Sequence, residues 1–379
     1  MSRHLSPRGR RALHGKIAAA VLAGGVLLAA LALTLWPETD AVARPRTAAL
    51  SVSRSLSVQQ TPADDFVPTG NMNPLTGLCD GISDAALSRR PVAVMISNSY
   101  DSLPQWGISQ ADILIEMLAE GRITRLLALF QDPSGIEALA SVRSARPYFI
   151  DMAQSYGAVY LHFGGSVPAY EAIASRSSLI SIDGIRGSWE GTLFLRDPER
   201  RKTLGLEHSV YTDGEKIEAA LASLDEDLSL SGSPSAFRFG SEHSAQNGSP
   251  AQRVELVYSD HNRPWFEYDP SSGAYLRFQY GEAHRDAWLD RQIAAKNLLV
   301  LRMETRDVPD SSLHLVEVTT VGQGSGYYFC DGSMTEITWS KDAFDAPISF
   351  FLPDGQPLTA ARGQSFLCVV PETADVIIS

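Results

Sequence analysis

Cysteine is scarce in this sequence of 379 residues, with only Cys79, Cys330 and Cys368 present. Three cysteines allow at most one intramolecular disulfide and leave one thiol free. Cys330 and Cys368 both fall in strand-like runs, YYFCDG and SFLCVV, so they can pair, and they serve equally well as small buried apolar residues. There is no CxxC and no Cys/His spacing of a metal site, so no metal and no cofactor is expected. A G-x-S-x-G nucleophile elbow is missing, and so is any internal repeat at solenoid spacing. Net positive charge is confined to the start. Residues 1–46 hold seven Lys or Arg against Glu38 and Asp40, a net +5. The whole chain carries −12, which leaves −17 for the remainder. A body that acidic offers no basic face to neutralise phosphates, so nucleic acid is excluded as a partner.

One long apolar run is present. Ile17 to Trp36 (IAAAVLAGGVLLAALALTLW) is uncharged, and as a helix it spans roughly 30 Å, the hydrocarbon thickness of a bilayer. Basic residues precede it, so residues 1–16 stay in the cytoplasm, 17–36 form a transmembrane signal anchor, and the rest is exported. Ala41-Val42-Ala43 offers the alternative of signal-peptide cleavage. Residues 37–72, rich in Pro, Ser, Thr and Ala, read as a flexible stalk.

Residues 73–224 alternate strand and helix patterns, which predicts an α/β domain. Pro91–Ile96, Ile113–Leu118, Arg125–Phe130 and Ala158–Phe163 read as strands, with helices over Arg146–Tyr156 and Pro168–Ala174. Thr212 with Glu215 forms a capping box for a last helix to about Leu224. An acidic Ser/Gly/Pro linker, 225–234, follows. From 235 to 372 short strands and turns dominate, with hairpin signals at Asp331-Gly332 and Asp354-Gly355, so this domain is mostly β, a sandwich or a small curled sheet.

The stretches NPLTGL (73–78), RRPVAVMISN (89–98), GISQADI (107–113), ITRLLALFQ (123–131), SVRSARPYFIDMA (141–153) and AVYLHFGGS (158–166) resemble the YerB-like lipoproteins, defined by domain of unknown function 3048. YLRFQYGEAHRD (275–286), AKNLLVL (295–301), GSGYYFCDG (324–332), ITWSK (337–341) and PDGQPLTAARGQSFLCVVPE (353–372) are similar to the companion C-terminal domain. The resemblance implies a two-domain envelope protein whose activity is not established for the family. Two departures stand out. No cysteine follows the apolar run, so the tether is protein rather than lipid. Around His208 the chain reads LEHSVYT, where the family pattern has Pro just before the His and Asn just after.

The densest candidate for chemistry is Arg143-Ser144-Ala145-Arg146-Pro147. Ser144 as helix N-cap and Pro147 in the first turn would aim two guanidinium groups and free N–H groups at one spot, suited to carboxylate or phosphate. The same arginines can instead pair internally with Asp151, Glu116 or Glu120. His162-Phe163-Gly164-Gly165-Ser166 ends a strand with two glycines, which builds either an anion-cradling nest or a simple chain reversal. Arg125 and Arg196 would complete a positive pocket for an anionic envelope ligand or cell-wall partner. An alternative is a cell-wall hydrolase or transferase using His162, with Ser144 or Ser166 and Asp151, or using His284 with Asp286. A third is a scaffold with every arginine internally paired. Trp265, Trp288 and Trp339 suit either sugar stacking or core packing.

Overall fold

Largely apolar runs of six or seven residues fold as strands covered on both faces, because alternation is needed only where one face meets water. Val92–Ser97, Ile113–Leu118 and Thr124–Phe130 are buried at every position. They form the middle of a large sheet in a computed structural model that describes residues 70–379, apart from 80, 231–235, 310 and 313. The anchor at 17–36, nearly all of the stalk and the last residues of the linker lie outside the described residues. No helix among the described residues is long and apolar enough to cross a membrane. Strands dominate, and helices are few.

In the first half, Val92–Ser97 pairs antiparallel with Thr124–Phe130 and parallel with Val159–His162, which pairs parallel with Ser181–Asp183. Pro147–Ser155 and Val167–Ser175 are helices, each with Pro in the first turn, where a missing N–H costs nothing. The final helix is Gly214–Ser223, and its cap differs from the expected one. Thr212 belongs to the strand Val210–Thr212. Asp213 is the N-cap, its Oδ1 accepting from the Lys216 amide at 2.9 Å while Oδ2 pairs with Lys216 Nζ. A carboxylate here bonds the helix amide and the lysine together, which the Thr212 hydroxyl cannot do.

The second half contributes to two large sheets and adds three two-stranded ribbons. One has the order Glu282–Ala283, Ala274–Gln279, Trp265–Asp269, Arg253–Leu256 and Val376–Ile378. Further strands extend the first-half sheet. Ser365–Pro371 runs parallel to Ile113–Leu118 on one side, with Glu116 opposite Cys368, and parallel to Asn297–Met303 on the other. Beyond these lie Gly322–Cys330 and Ser333–Lys341. A single sheet of 11 strands therefore crosses from one half of the sequence to the other. The smaller sheet covers its centre, with Phe266 edge-on to Phe366 at 5.2 Å and Tyr275 to Phe329 at 6.2 Å.

Cys330 and Cys368 are both free and buried. Asn297–Met303 lies between their strands, so their sulfurs are separated by a whole strand and cannot bridge. At Asp331 and Gly332 the φ angles of 52° and 73° confirm the tight hairpin signalled in the sequence.

Candidate functional site

The strands ending at Ser97, Leu118, His162 and Asp183 run in one direction, and their carboxyl ends gather most of the candidate residues. Arg125 sits opposite Ser97 in the sheet register, and Glu120 lies in the turn just beyond Leu118. Glu120 is held between two guanidinium groups. Arg125 Nη2 donates to Oε1, and Arg146 donates to Oε2 from Nε at 3.0 Å and Nη2 at 2.7 Å. Arg125 Nη1 also donates to the Ser144 carbonyl at 2.6 Å, and Arg146 Nη1 to the Ala145 carbonyl at 2.6 Å. Burial raises the Glu120 carboxyl, yet Arg125 and Arg146 outweigh it and hold the group below the usual range. Burial, then the neighbouring Arg146 charge, pushes Arg125 down to about 10. Two buried guanidiniums meet one carboxylate, so the cluster carries an unbalanced positive charge. Arg125 Nε and the buried hydroxyls of Tyr148 and Tyr160 have no hydrogen-bond partner among the described residues.

Arg143 lies beside this cluster with its Nη1 and Nη2 on the carbonyl and carboxylate of Glu207, at 3.1 and 3.0 Å. Glu207 is exposed, so that pair is screened by water and weak. Arg196 donates to Glu190 Oε1 at 2.8 Å and to the Leu206 carbonyl at 2.7 Å, and its guanidinium sits 4.9 Å from the Phe163 ring centre. Ser144 is not the expected cap. Its hydroxyl donates to the Phe163 carbonyl, and Arg146 takes the N-cap position with no side-chain cap bond. Ser166 is an N-cap instead, accepting from the Ala169 amide at 3.3 Å.

Of the Gly164-Gly165 turn, the Gly164 amide meets an anion, and that anion is a protein carboxylate. Asp183 Oδ1 accepts from the amides of Gly164 at 2.8 Å and Ile185 at 2.9 Å. Burial raises the Asp183 carboxyl, but these two amides overcome it and hold it low. Gly164 has φ +81° and a Cβ there would meet Ile185 at 2.8 Å, so both conformation and space require glycine. Gly165 bridges to Ala145, which ties the two candidate segments together. His162 is sealed between the Gly164 carbonyl at Nδ1 (2.7 Å) and the Ser181 hydroxyl at Nε2 (2.9 Å). Burial lowers its pKa, so it is a neutral imidazole donating to the carbonyl and accepting from serine.

The second histidine belongs to a different assembly. Glu116 and Arg277, both without solvent exposure, meet across the two sequence halves, with Nη2 at 2.8 Å from each carboxylate oxygen. Thr124 and Asn98 donate to Glu116 Oε1 at 2.7 and 2.9 Å. Gln105 uses its amide nitrogen on the Ser97 carbonyl and Asn98, so its oxygen accepts from His284 Nε2 at 2.8 Å. Nδ1 of His284 is then left as the acceptor for Arg277 Nη1. Burial, reinforced by the Arg277 charge, lowers His284 far below its ordinary pKa and fixes this neutral tautomer. Asp286 points elsewhere, accepting from the Gly107 and Ser109 amides at 2.9 and 3.0 Å. His284 and Asp286 therefore share no site, and the hydroxyl that meets His162 is that of Ser181, while Ser144 and Ser166 make other bonds. Trp339 is buried with its N–H on the Arg302 carbonyl, Trp288 stacks beside Trp106, and Trp265 lies flat on Phe278.

Sequence reasoning missed Asp183 and Glu207, which engage the proposed cradle and Arg143, and it missed the groove of about 500 Å³ between Trp189 and the last helix. The signal for Asp183 was present: an Asp-Gly step at the end of a strand following a Gly-Gly turn is a ready acceptor for turn amides.

The comparisons agree with this architecture. The model described as "Protein of unknown function (DUF3048) N-terminal domain" matches residues 75–227, and the corresponding C-terminal domain model matches 254–367. A Bacillus subtilis (strain 168) protein named "Putative lipoprotein YerB" is 28% identical over 311 residues, covering 81% of this chain and 88% of that protein. The crystal structure of YerB protein from Bacillus subtilis superposes with a TM-score of 0.68 at 27% identity, covering 81% of this chain and 99% of the other. With both domain models matched in order, the chain belongs to the DUF3048 family.

Proposed function

We propose that this is a membrane-associated extracytoplasmic protein of the cell envelope that binds an anionic envelope ligand at the carboxyl end of the first-half strands. The basic-then-apolar order of residues 1–36 supports the location, as does the relative named as a lipoprotein. One observation carries the ligand: buried Arg125 and Arg146 share one half-buried carboxylate, Glu120, while Arg143 beside them pairs with the exposed Glu207. A buried group of charges that does not balance within the protein gains from an external counterion. In this reading Arg143 and Arg146 meet the ligand, and Arg125 supports them from beneath. The Gly164 amide stays with Asp183, and Gly165 and Ser166 shape the rim. Arg196 flanks it, fixing the Leu206 carbonyl beside Glu207.

The test is binding of fluorescent poly(glycerol phosphate) and of inorganic phosphate to the full chain in detergent. Salt-sensitive binding that weakens tenfold or more in Arg143→Ala, with an unchanged melting temperature, is the expected result. Equal binding by wild type and variant, or no binding by either, removes the ligand and leaves a scaffold of internally paired arginines.

A further inference from the structure

Three metal-ligating side chains meet outside the site described above. His243, Cys330 and Asp331 each offer a donor atom, and the three atoms lie within 4.8 Å of one another. Cys330 and Asp331 are consecutive at the tip of the hairpin Gly322–Cys330/Ser333–Lys341, where the tight turn directs thiol and carboxylate toward the same loop. His243 arrives from the loop after Arg238–Gly240, 87 residues earlier in the chain. No sequence spacing reveals such a set, because two ligands come from a turn and the third from a loop packed beside it.

We infer that His243, Cys330 and Asp331 form a binding site for a single divalent transition metal, zinc above all. His243 Nε2 and Asp331 Oδ2 are 3.2 Å apart. Two ligand atoms each about 2.0 Å from a tetrahedral zinc lie about 3.3 Å from one another, so this edge is already at coordination spacing. The sulfur completes the face by a modest closing movement. A thiolate and an imidazole with one carboxylate is a donor set that selects zinc over magnesium or calcium, which take oxygen ligands.

The surroundings fit the assignment. Lys296 Nζ bonds the other oxygen, Asp331 Oδ1, so it orients the carboxylate while leaving Oδ2 for the metal. The His243 ring packs edge-on to Tyr328 with Nε2 toward Asp331, and its buried Nδ1 has no partner among the described residues. Cys330 is fully buried and Asp331 is partly exposed, which gives the ion a route in and leaves a fourth position for water. On binding, a metal–sulfur bond replaces the S–H bond of Cys330, and the thiol proton passes to solvent.

The experiment is a cobalt titration of the full chain in detergent, after tag removal, thiol reduction and chelation. One equivalent of Co²⁺ is expected to produce a sulfur-to-cobalt charge-transfer band in the near ultraviolet, bleached by one equivalent of Zn²⁺. Cys330→Ser should abolish the band. His243→Asn should weaken Co²⁺ binding tenfold or more, with circular dichroism confirming the fold. No charge-transfer band in the wild type overturns the site, and so does a band that survives Cys330→Ser, because its sulfur is then Cys79 or Cys368.

Discussion

Two buried charge clusters sit in the same sheet and are built on opposite principles. At the junction of the sequence halves, Glu116 meets one guanidinium, Arg277, and its remaining lone pairs are taken by Asn98 and Thr124. Charge cancels, and the bonds are ordered down to the tautomer of His284, although Arg277 Nε and the Tyr258 hydroxyl lack partners among the described residues. At the strand ends, Glu120 meets two guanidiniums, a third stands near, and two tyrosine hydroxyls lack partners. A balanced cluster locks a structure. An unbalanced one at a rim holds capacity for something else. Neighbouring acids alone do not distinguish the two, and the count of charges does.

The comparison breaks most severely at the junction. Glu116→Ala leaves Arg277 buried and unpaired, and should cost about 3–5 kcal/mol in urea denaturation. The joint change Glu116→Leu with Arg277→Met should cost far less, since both charges leave together. A loss under about 1 kcal/mol for Glu116→Ala would mean that water reaches the pair and the junction is no lock.

Glu120→Gln sharpens the other side. It should destabilise by about 2 kcal/mol, from the loss of charge-assisted bonds to Arg125 and Arg146, and at the same time raise phosphate affinity. Stability loss without a gain in anion binding would place this cluster in the same class as the junction.

The smallest effect is in pH. Burial depresses the pKa of His284 in the folded state, so its neutral form contributes stability above the unfolded value near 6.5. That contribution is lost as pH falls below 6.5, because the unfolded chain takes up the proton first. At pH 5.5 the loss from one such group is about 1.4 kcal/mol. Melting temperatures compared between wild type and His284→Gln from pH 7 to 5.5 should show a shallower slope in the variant. His162, also depressed by burial, keeps part of the slope. An identical slope would show that His284 titrates normally and that its tautomer is not fixed.

Local patterns in the sequence revealed local structure. The apolar runs from Pro91, Ile113, Arg125 and Ala158 became strands within a residue or two of their expected limits. Helix boundaries came from Pro147, Pro168 and the polar cap near 212, although Asp213 displaced Thr212 because its carboxylate also reaches Lys216. Partnerships across the chain were invisible. Glu116 and Arg277 are 161 residues apart, and nothing in either neighbourhood names the other. The same holds for Arg143 and Glu207, 64 residues apart, and for His243 with the hairpin tip. The arginines of 143–146 were found because two guanidinium groups at a helix start are conspicuous. Their acidic partners were harder to place, since an acidic chain offers many candidates.

The strand Ser365–Pro371 occupies the middle of the sheet while lying almost at the end of the chain. A ribosome makes it after every other strand of that sheet, and a translocation channel delivers it in the same order if the chain is exported amino end first. Until it arrives, the backbone groups of Ile113–Leu118 along that edge have no partner strand, and Glu116 and Arg277 have no fixed register in which to meet. Completion of the first half is thus tied to the arrival of the second. A chain stopped short of residue 365 would hold an exposed sheet edge of the kind that recruits other strands.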